Sequence, residues 1–378
     1  MTRFACRTFK RIAVMIAIVL LAGCAGVRPA PALRYRIVGY DTATRHAEVL
    51  DAGKLDVLIF AFARVRQDKV VLSPDAATRL QKLIALKATH PGLKVTISVG
   101  GWGAGGFSGA AATAASRRTF ADSAAQLVAS QHADGLDVDW EYPGSSLSGI
   151  KSSPQDRVHF TALIQALRAA LDKMGAGNGH VGAHHYLLTI ASADSRYVKG
   201  IDLAAVAPYL DWFNVMTYDF NNSLTALTGN HTGLHASAVA PPDARTTARA
   251  VREYLAAGVP ADKIVIGAAF YGLRFDGVHP ADHGLYQHYA RFGGSYPWFV
   301  LKQKFINRDG YVRHWDARAD APYLWNATTH SFISYDDPQS IAAKVAFVKA
   351  HHLGGIMFWE ASGDDHNELL DSIWSGLR

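Results

Sequence analysis

The chain has 378 residues, 49% of them hydrophobic and 19% charged, a balance that fits a packed globular protein and excludes a disordered one. Arg3, Arg7, Lys10 and Arg11 account for four of the net +6 charges, and without them the net is +2; no basic stripe with interleaved aromatics argues for nucleic acid. Cysteine occurs twice, as Cys6 and Cys24, so no disulfide framework is expected and stability must come from a core.

Basic residues precede the apolar run Ile12 to Ala22, which is too short to span a bilayer comfortably. The run ends in Leu21, Ala22, Gly23 and Cys24, and this resembles a bacterial lipoprotein signal. The resemblance implies removal of residues 1–23, a lipid on Cys24 and attachment to a membrane of the bacterial cell envelope. Residues 24–34, with Pro29 and Pro31, read as a tether. Strand and helix patterns then alternate. Strand patterns fall at 35–40, 55–62, 93–99, the acidic stretch after Asp134, 186–192, 212–218, 263–271 and 354–359. Helical patterns fall at 75–89, 113–131, 156–173, 243–257, 341–352 and 367–377. Leu55 to Phe62 is nearly all apolar, as a strand buried on both faces should be. Gly258 and Pro260 are stop signals for the fourth of these helices. Eight strands alternating with helices predict a parallel sheet closed into a (β/α)8 TIM barrel. The rhythm breaks once, over 273–332, an aromatic-rich stretch with Gly293, Gly294 and Gly310. It reads as a small α+β insertion between strand seven and helix eight, with the barrel formed by 35–272 and 333–378.

The chemistry concentrates in Asp134 to Gly144, which carries Asp134, Asp137, Asp139 and Glu141. Leu136, Val138 and Trp140 alternate with the last three acids. In a strand this sets the acids on one face, with neighbours roughly 7 Å apart. Like charges so placed repel and resist desolvation, so the arrangement favours holding a proton. Leu, Val and Trp between the acids argue against a calcium loop, which is built on turns. Barrel active sites lie at the C-terminal ends of strands. Those ends here carry Ser98, Gly100, Gly101 and Trp102; Met216, Tyr218 and Asp219; Tyr271; and Trp359. Acids ringed by aromatics suit a sugar, whose apolar face stacks on rings.

Taken together these motifs resemble the family 18 glycoside hydrolases, which are mainly chitinases. The DxxDxDxE signature is met by Asp134, Asp137, Asp139 and Glu141, followed by Tyr142, Pro143 and Gly144. SxGG is met by Ser98, Gly100 and Gly101, MxYD by Met216, Tyr218 and Asp219, and the final-strand tryptophan by Trp359. The resemblance implies substrate-assisted hydrolysis, an exception to the two-carboxylate scheme. Glu141 is then the general acid, Asp139 the partner of the substrate acetamido N–H, and Tyr218 the group that holds the acetamido oxygen. Asp137 is expected to share a proton with Asp139, and no metal or cofactor is required. Trp359 is the expected floor of the cleaved sugar's subsite, and Trp102 a sugar platform. Tyr40, Phe62, Tyr142 and Tyr271 are further candidates for the cleft. The resemblance also implies cis peptides at Glu141–Tyr142 and Trp359–Glu360.

Two positions depart from the family pattern. Ala269 and Leu273 flank the Phe-Tyr-Gly of strand seven, where Pro and Arg are common, and Arg274 stands one place later. Trp298, Trp315 and Trp325 fit either a cleft wall or the core of the insertion. His231 and His235, separated by Gly233 and without a carboxylate partner in sequence, read as a surface loop rather than a metal site. The expected substrate is a β-1,4-linked N-acetylglucosamine oligomer, and the expected state a monomer. A chitin-binding lectin, or a hydrolase of peptidoglycan or N-glycan cores, are the competing readings.

Overall fold

The computed structural model describes residues 1–2, 35–42 and 50–378. The signal segment, Cys24 and the tether lie outside the described residues. In chain order the strands are β1 (Arg36–Asp41), β2 (Val57–Arg66), β3 (Lys69–Val71), β4 (Lys94–Gly100), β5 (Gly135–Asp139), β6 (Leu187–Ser192) and β7 (Trp212–Val215). They continue with β8 (Ile264–Ala269), β9 (Tyr271–Asp276), β10 (Arg291–Pro297), β11 (Tyr311–Asp316), β12 (Ala321–Asn326), β13 (Ser331–Tyr335) and β14 (Gly355–Trp359). The helices are α1 (Pro74–Ala85), α2 (Phe107–Ala112), α3 (Ala114–Ser130), α4 (Asp156–Asn178), α5 (Leu203–Val206), α6 (Thr247–Ala256), α7 (Trp298–Lys304), α8 (Pro338–Ala350) and α9 (Glu368–Leu377).

Eight parallel strands pair in the order β1, β14, β8, β7, β6, β5, β4, β2, and β1 pairs again with β2 to close the barrel. Strand alternation builds two cores at once. Val57 and Ile59 of β2 point inward with Val38, Tyr40, Val265 and Met357. Leu58 and Phe60 point outward, into the layer beneath the helices. An all-apolar strand is therefore required, because each face meets a different apolar layer. Local signals start the helices. Ser73 caps α1 by accepting from the Ala76 amide at 3.1 Å, and Thr113 with Ser116 forms a capping box on α3. Among the described residues no helix is long and apolar enough to cross a membrane.

A second sheet, antiparallel in the order β10, β9, β13, β12, β11, lies between β8 and α8. The sequence pattern ran strand seven on to Tyr271, but β8 stops at Ala269. Phe270 marks the break: its amide bonds to the Trp359 carbonyl at 2.8 Å and its ring stacks on Phe358 at 4.1 Å. The sixth strand is likewise shorter than expected, ending at Val215, so that Met216 to Tyr218 leave the sheet at the barrel mouth. A buried ion pair ties the two sheets to α8. Lys344 Nζ sits 2.5 Å from Asp336 Oδ2, which also accepts from the Ala269 amide at 2.9 Å and from Thr232 at 3.1 Å. Residues 35–378 form one compact unit that includes both sheets.

Candidate active site

The acids lie where β5 ends at the barrel mouth. Trp140 points outward and stacks on Phe107 at 5.4 Å, which turns Asp139 and Glu141 toward the interior. Asp137 is wholly buried in a polar layer fixed by strand register: Ser98 of β4 and Thr189 of β6 are its direct neighbours. Its carboxylate accepts from Ser98 at 2.7 Å, Thr189 at 2.6 Å, Tyr40 at 3.0 Å and Asn214 at 3.2 Å. Burial raises its pKa, and these four donors oppose the rise. Asp134, by contrast, sits at the entry of β5, where it accepts from the Val95 amide and pairs with Lys87, both at 2.7 Å. It anchors the strand from the end remote from the mouth.

Asp139 and Glu141 both line the cleft at this end of β5. Burial first, then the charges of Glu141 and Asp137, push the Asp139 carboxyl well above its ordinary range. Its Oδ1 takes no hydrogen-bond partner among the described residues. Glu141 is raised to about 7, by burial and by the charge of Asp219, against hydrogen bonds from Tyr142 and Asp139. Such a carboxyl still holds its proton near neutrality, as a general acid requires.

Glycines bring the neighbouring strand close enough. Gly100 adopts φ +128°, and a Cβ there would lie 1.9 Å from the Asp139 carbonyl. Gly101 then donates its amide to that carbonyl at 3.0 Å and packs against Phe62. Peptides 141–142 and 359–360 are cis, and 61–62 is cis as well.

The acids open into a cleft of about 1240 Å³. Trp359 forms its floor, stacked on Phe62 at 5.7 Å. Trp102, 55% exposed, stands edge-on to Tyr142, and Tyr142 stacks on Tyr197 at 4.5 Å. Met216, Tyr218, Asp219 and Tyr271 line the facing side. Tyr271 donates to Asp219 at 2.6 Å. Tyr40 also borders the cleft, yet only 1% of it is exposed and its hydroxyl is spent on Asp137. Arg274 is turned away, bonded to Asp276 at 2.7 Å, and is not among the cleft residues. Trp298 and Trp325 are buried in packing cores. Among the described residues no group of three or more His, Cys, Asp or Glu is placed to hold a metal.

The model of the family "Glycosyl hydrolases family 18" matches residues 36–364. The chain belongs to glycosyl hydrolase family 18. Chitinase A1 of Niallia circulans is 42% identical over 317 residues, 80% of this chain and 45% of that protein, so the chain spans under half of this relative. Chitinase 1 of Aphanocladium album is 32% identical, over 87% of this chain and 80% of its own length. A solved family 18 N-acetylglucosaminidase from Paenibacillus barengoltzii superposes with a TM-score of 0.85 at 40% identity, covering 90% of this chain and 99% of that one.

The family motifs account for the acids and the floor of this family 18 cleft, but not for all of its polar frame. Thr189 and Asn214 were missed, although each is a polar residue between apolar neighbours in its strand, a pattern that marks a barrel interior. Phe292 and Phe299 line the cleft from the second sheet and α7 without any sequence signal. His231 is a correction. It is fully buried rather than on a surface loop, with Nδ1 3.6 Å from Asp219 Oδ1, because Phe220 and Ser334 pin its backbone inside the fold. His235 is exposed.

Proposed function

We propose that this chain hydrolyses β-1,4-linked N-acetylglucosamine oligomers with retention of configuration, using the substrate's own acetamido group as nucleophile. The observation that carries the reading is the convergence of Asp139, Glu141, Tyr218 and Trp359 on one cleft at the barrel mouth. Glu141 gives its proton to the glycosidic oxygen as the bond to the anomeric carbon breaks. The acetamido carbonyl oxygen bonds to that carbon and forms an oxazolinium ion. Asp139, passing its proton to Asp137, accepts from the acetamido N–H and offsets the positive charge, while the Tyr218 hydroxyl holds the acetamido oxygen in line. Asp137, fixed by its four donors, sustains the charge balance behind Asp139. Water then adds to the anomeric carbon, its proton passes to Glu141, and the carbon–oxygen bond of the oxazolinium opens. Trp359 and Trp102 provide stacking surfaces along the oligomer. We read the five-stranded sheet as the insertion domain of one family branch, forming a side wall of the cleft. The Leu21 to Cys24 motif supports a lipid anchor on Cys24 and residence in the bacterial cell envelope, acting on soluble oligomers as a monomer.

The test is a product assay of the mature protein on chitotetraose, muropeptides and an N-glycoprotein. Release of chitobiose or N-acetylglucosamine from chitotetraose is expected. Preferred release from muropeptides or the glycoprotein would reassign the substrate, and binding of chitotetraose without release would make the protein a lectin.

A further inference from the structure

His231 is wholly buried, 0% of its side chain exposed, beneath the rim of the cleft. Its Nδ1 accepts from the Asp219 amide at 3.4 Å, and its ring packs on Tyr271 at 5.2 Å. Its Nε2 is buried with no hydrogen-bond partner among the described residues. The backbone on either side leaves it little freedom. Its carbonyl accepts from the Phe220 amide at 3.0 Å, and its own amide donates to Ser334 of β13 at 2.9 Å. Asp219 needs such support, because its φ of +59° is left-handed and its side chain is 46% exposed. Among the described residues, Tyr271 donates to that carboxylate at 2.6 Å, and His231 Nδ1 stands 3.6 Å from it.

We propose that His231 is a positioning residue for the reaction: its Nδ1 holds the left-handed Asp219 backbone so that the Asp219 carboxylate stays on Tyr271 and faces Glu141. The inference deepens the hydrolase reading and rests on it for its kinetic consequence. The Asp219 charge is one of the causes that keep the proton on Glu141. A freed Asp219 would swing toward water, where solvent screens it from Glu141. The other groups around Glu141 stay in place: Asp139 and Tyr142 bonded to it, with Asp137, Tyr218 and Arg64 near Asp139. Around His231 the charged and titratable neighbours are Asp219 and Tyr271, with the Asp336–Lys344 pair reached through the adjacent Thr232.

Side-chain geometry supplies the test. The Asn amide places a polar atom where Nδ1 stands, whereas the Gln amide reaches only the Nε2 position. The experiment titrates the Glu141 carboxyl by 13C NMR in wild type, His231→Asn, His231→Gln and Asp219→Asn, alongside the pH profile of kcat and KM on chitotetraose. Thermal melts verify that each variant is folded. His231→Gln is expected to lower the Glu141 midpoint in the same direction as Asp219→Asn, by about half a pH unit. It should also reduce kcat ~10-fold with little change in KM. His231→Asn should restore most of both. A folded Gln variant with the wild-type midpoint, or Asn and Gln variants equally impaired, would overturn the proposal. Wild type that titrates as expected but does not cleave chitotetraose would instead defeat the hydrolase reading and leave the NMR comparison decisive for His231.

Discussion

Glu141 owes its chemistry to its position two residues past the end of β5, where burial and the Asp219 charge raise its pKa to about 7. The general acid must be protonated, so kcat/KM should fall as pH rises through about 7. Asp219→Asn removes a charge that favours the proton, so this limb should move to lower pH in the variant; a limb that stays put would detach Asp219 from Glu141. Stability follows the same proton. The folded carboxyl binds it more tightly than the ordinary value of 4.5 allows in the unfolded chain, so the native state loses stability as pH rises from 4.5 toward 7. Glu141→Gln cannot ionise. It should melt above wild type at pH 8, with the gap closing near pH 4, in paired calorimetric scans. The same variant should lose at least ~100-fold in turnover while retaining oligosaccharide binding by calorimetric titration.

At the scale of elements, much of the barrel could be read from the chain because each strand faces two apolar layers and each helix one. Leu55 to Phe62 had to be buried on both sides, and Val57 to Ala61 are. The acids were legible for the same reason, since a period of two puts Asp137 and Asp139 inside and Trp140 outside. What the sequence hid depends on contacts between distant segments. The ends of β7 and β8 are set by Thr217 bonding to Gly267 and by Phe270 bonding to Trp359, which no local pattern encodes. His231 looked like a loop residue among Asn230, Thr232 and Gly233, because its partners Asp219 and Ser334 are far along the chain. Lys344 is another hidden case, a lysine with no exposed surface inside α8. Lys344→Met leaves Asp336 charged and buried, and should cost roughly 3 kcal/mol in a urea titration. Adding Asp336→Asn should recover part of that loss. Gly100→Ala sets a Cβ against the Asp139 carbonyl in a left-handed conformation, and should lower both melting temperature and activity.

For the molecule as a whole, the cleft of about 1240 Å³ combines a barrel-mouth acid pair with walls from the second sheet and α7. Trp102 and Trp359 both line it, and in the proposed function they give an oligomer two apolar surfaces to lie on. Lipid on Cys24 would hold this cleft near a membrane, where soluble oligomers reach it more readily than a solid does. Cys24→Ser should therefore move the protein from the membrane fraction to the soluble one in the native host, with its rate on chitotetraose unchanged. The central claim is that the substrate's acetamido group is the nucleophile. In the proposed mechanism Asp139 and Tyr218, which both line the cleft, receive that group. A free amine at the same position offers no carbonyl oxygen and carries a positive charge where positive charge must develop. The direct measurement is the rate of cleavage of fully acetylated chitotetraose against the fully deacetylated tetramer on the mature protein. The account predicts turnover of the acetylated oligomer alone, and equal rates on the two would contradict it.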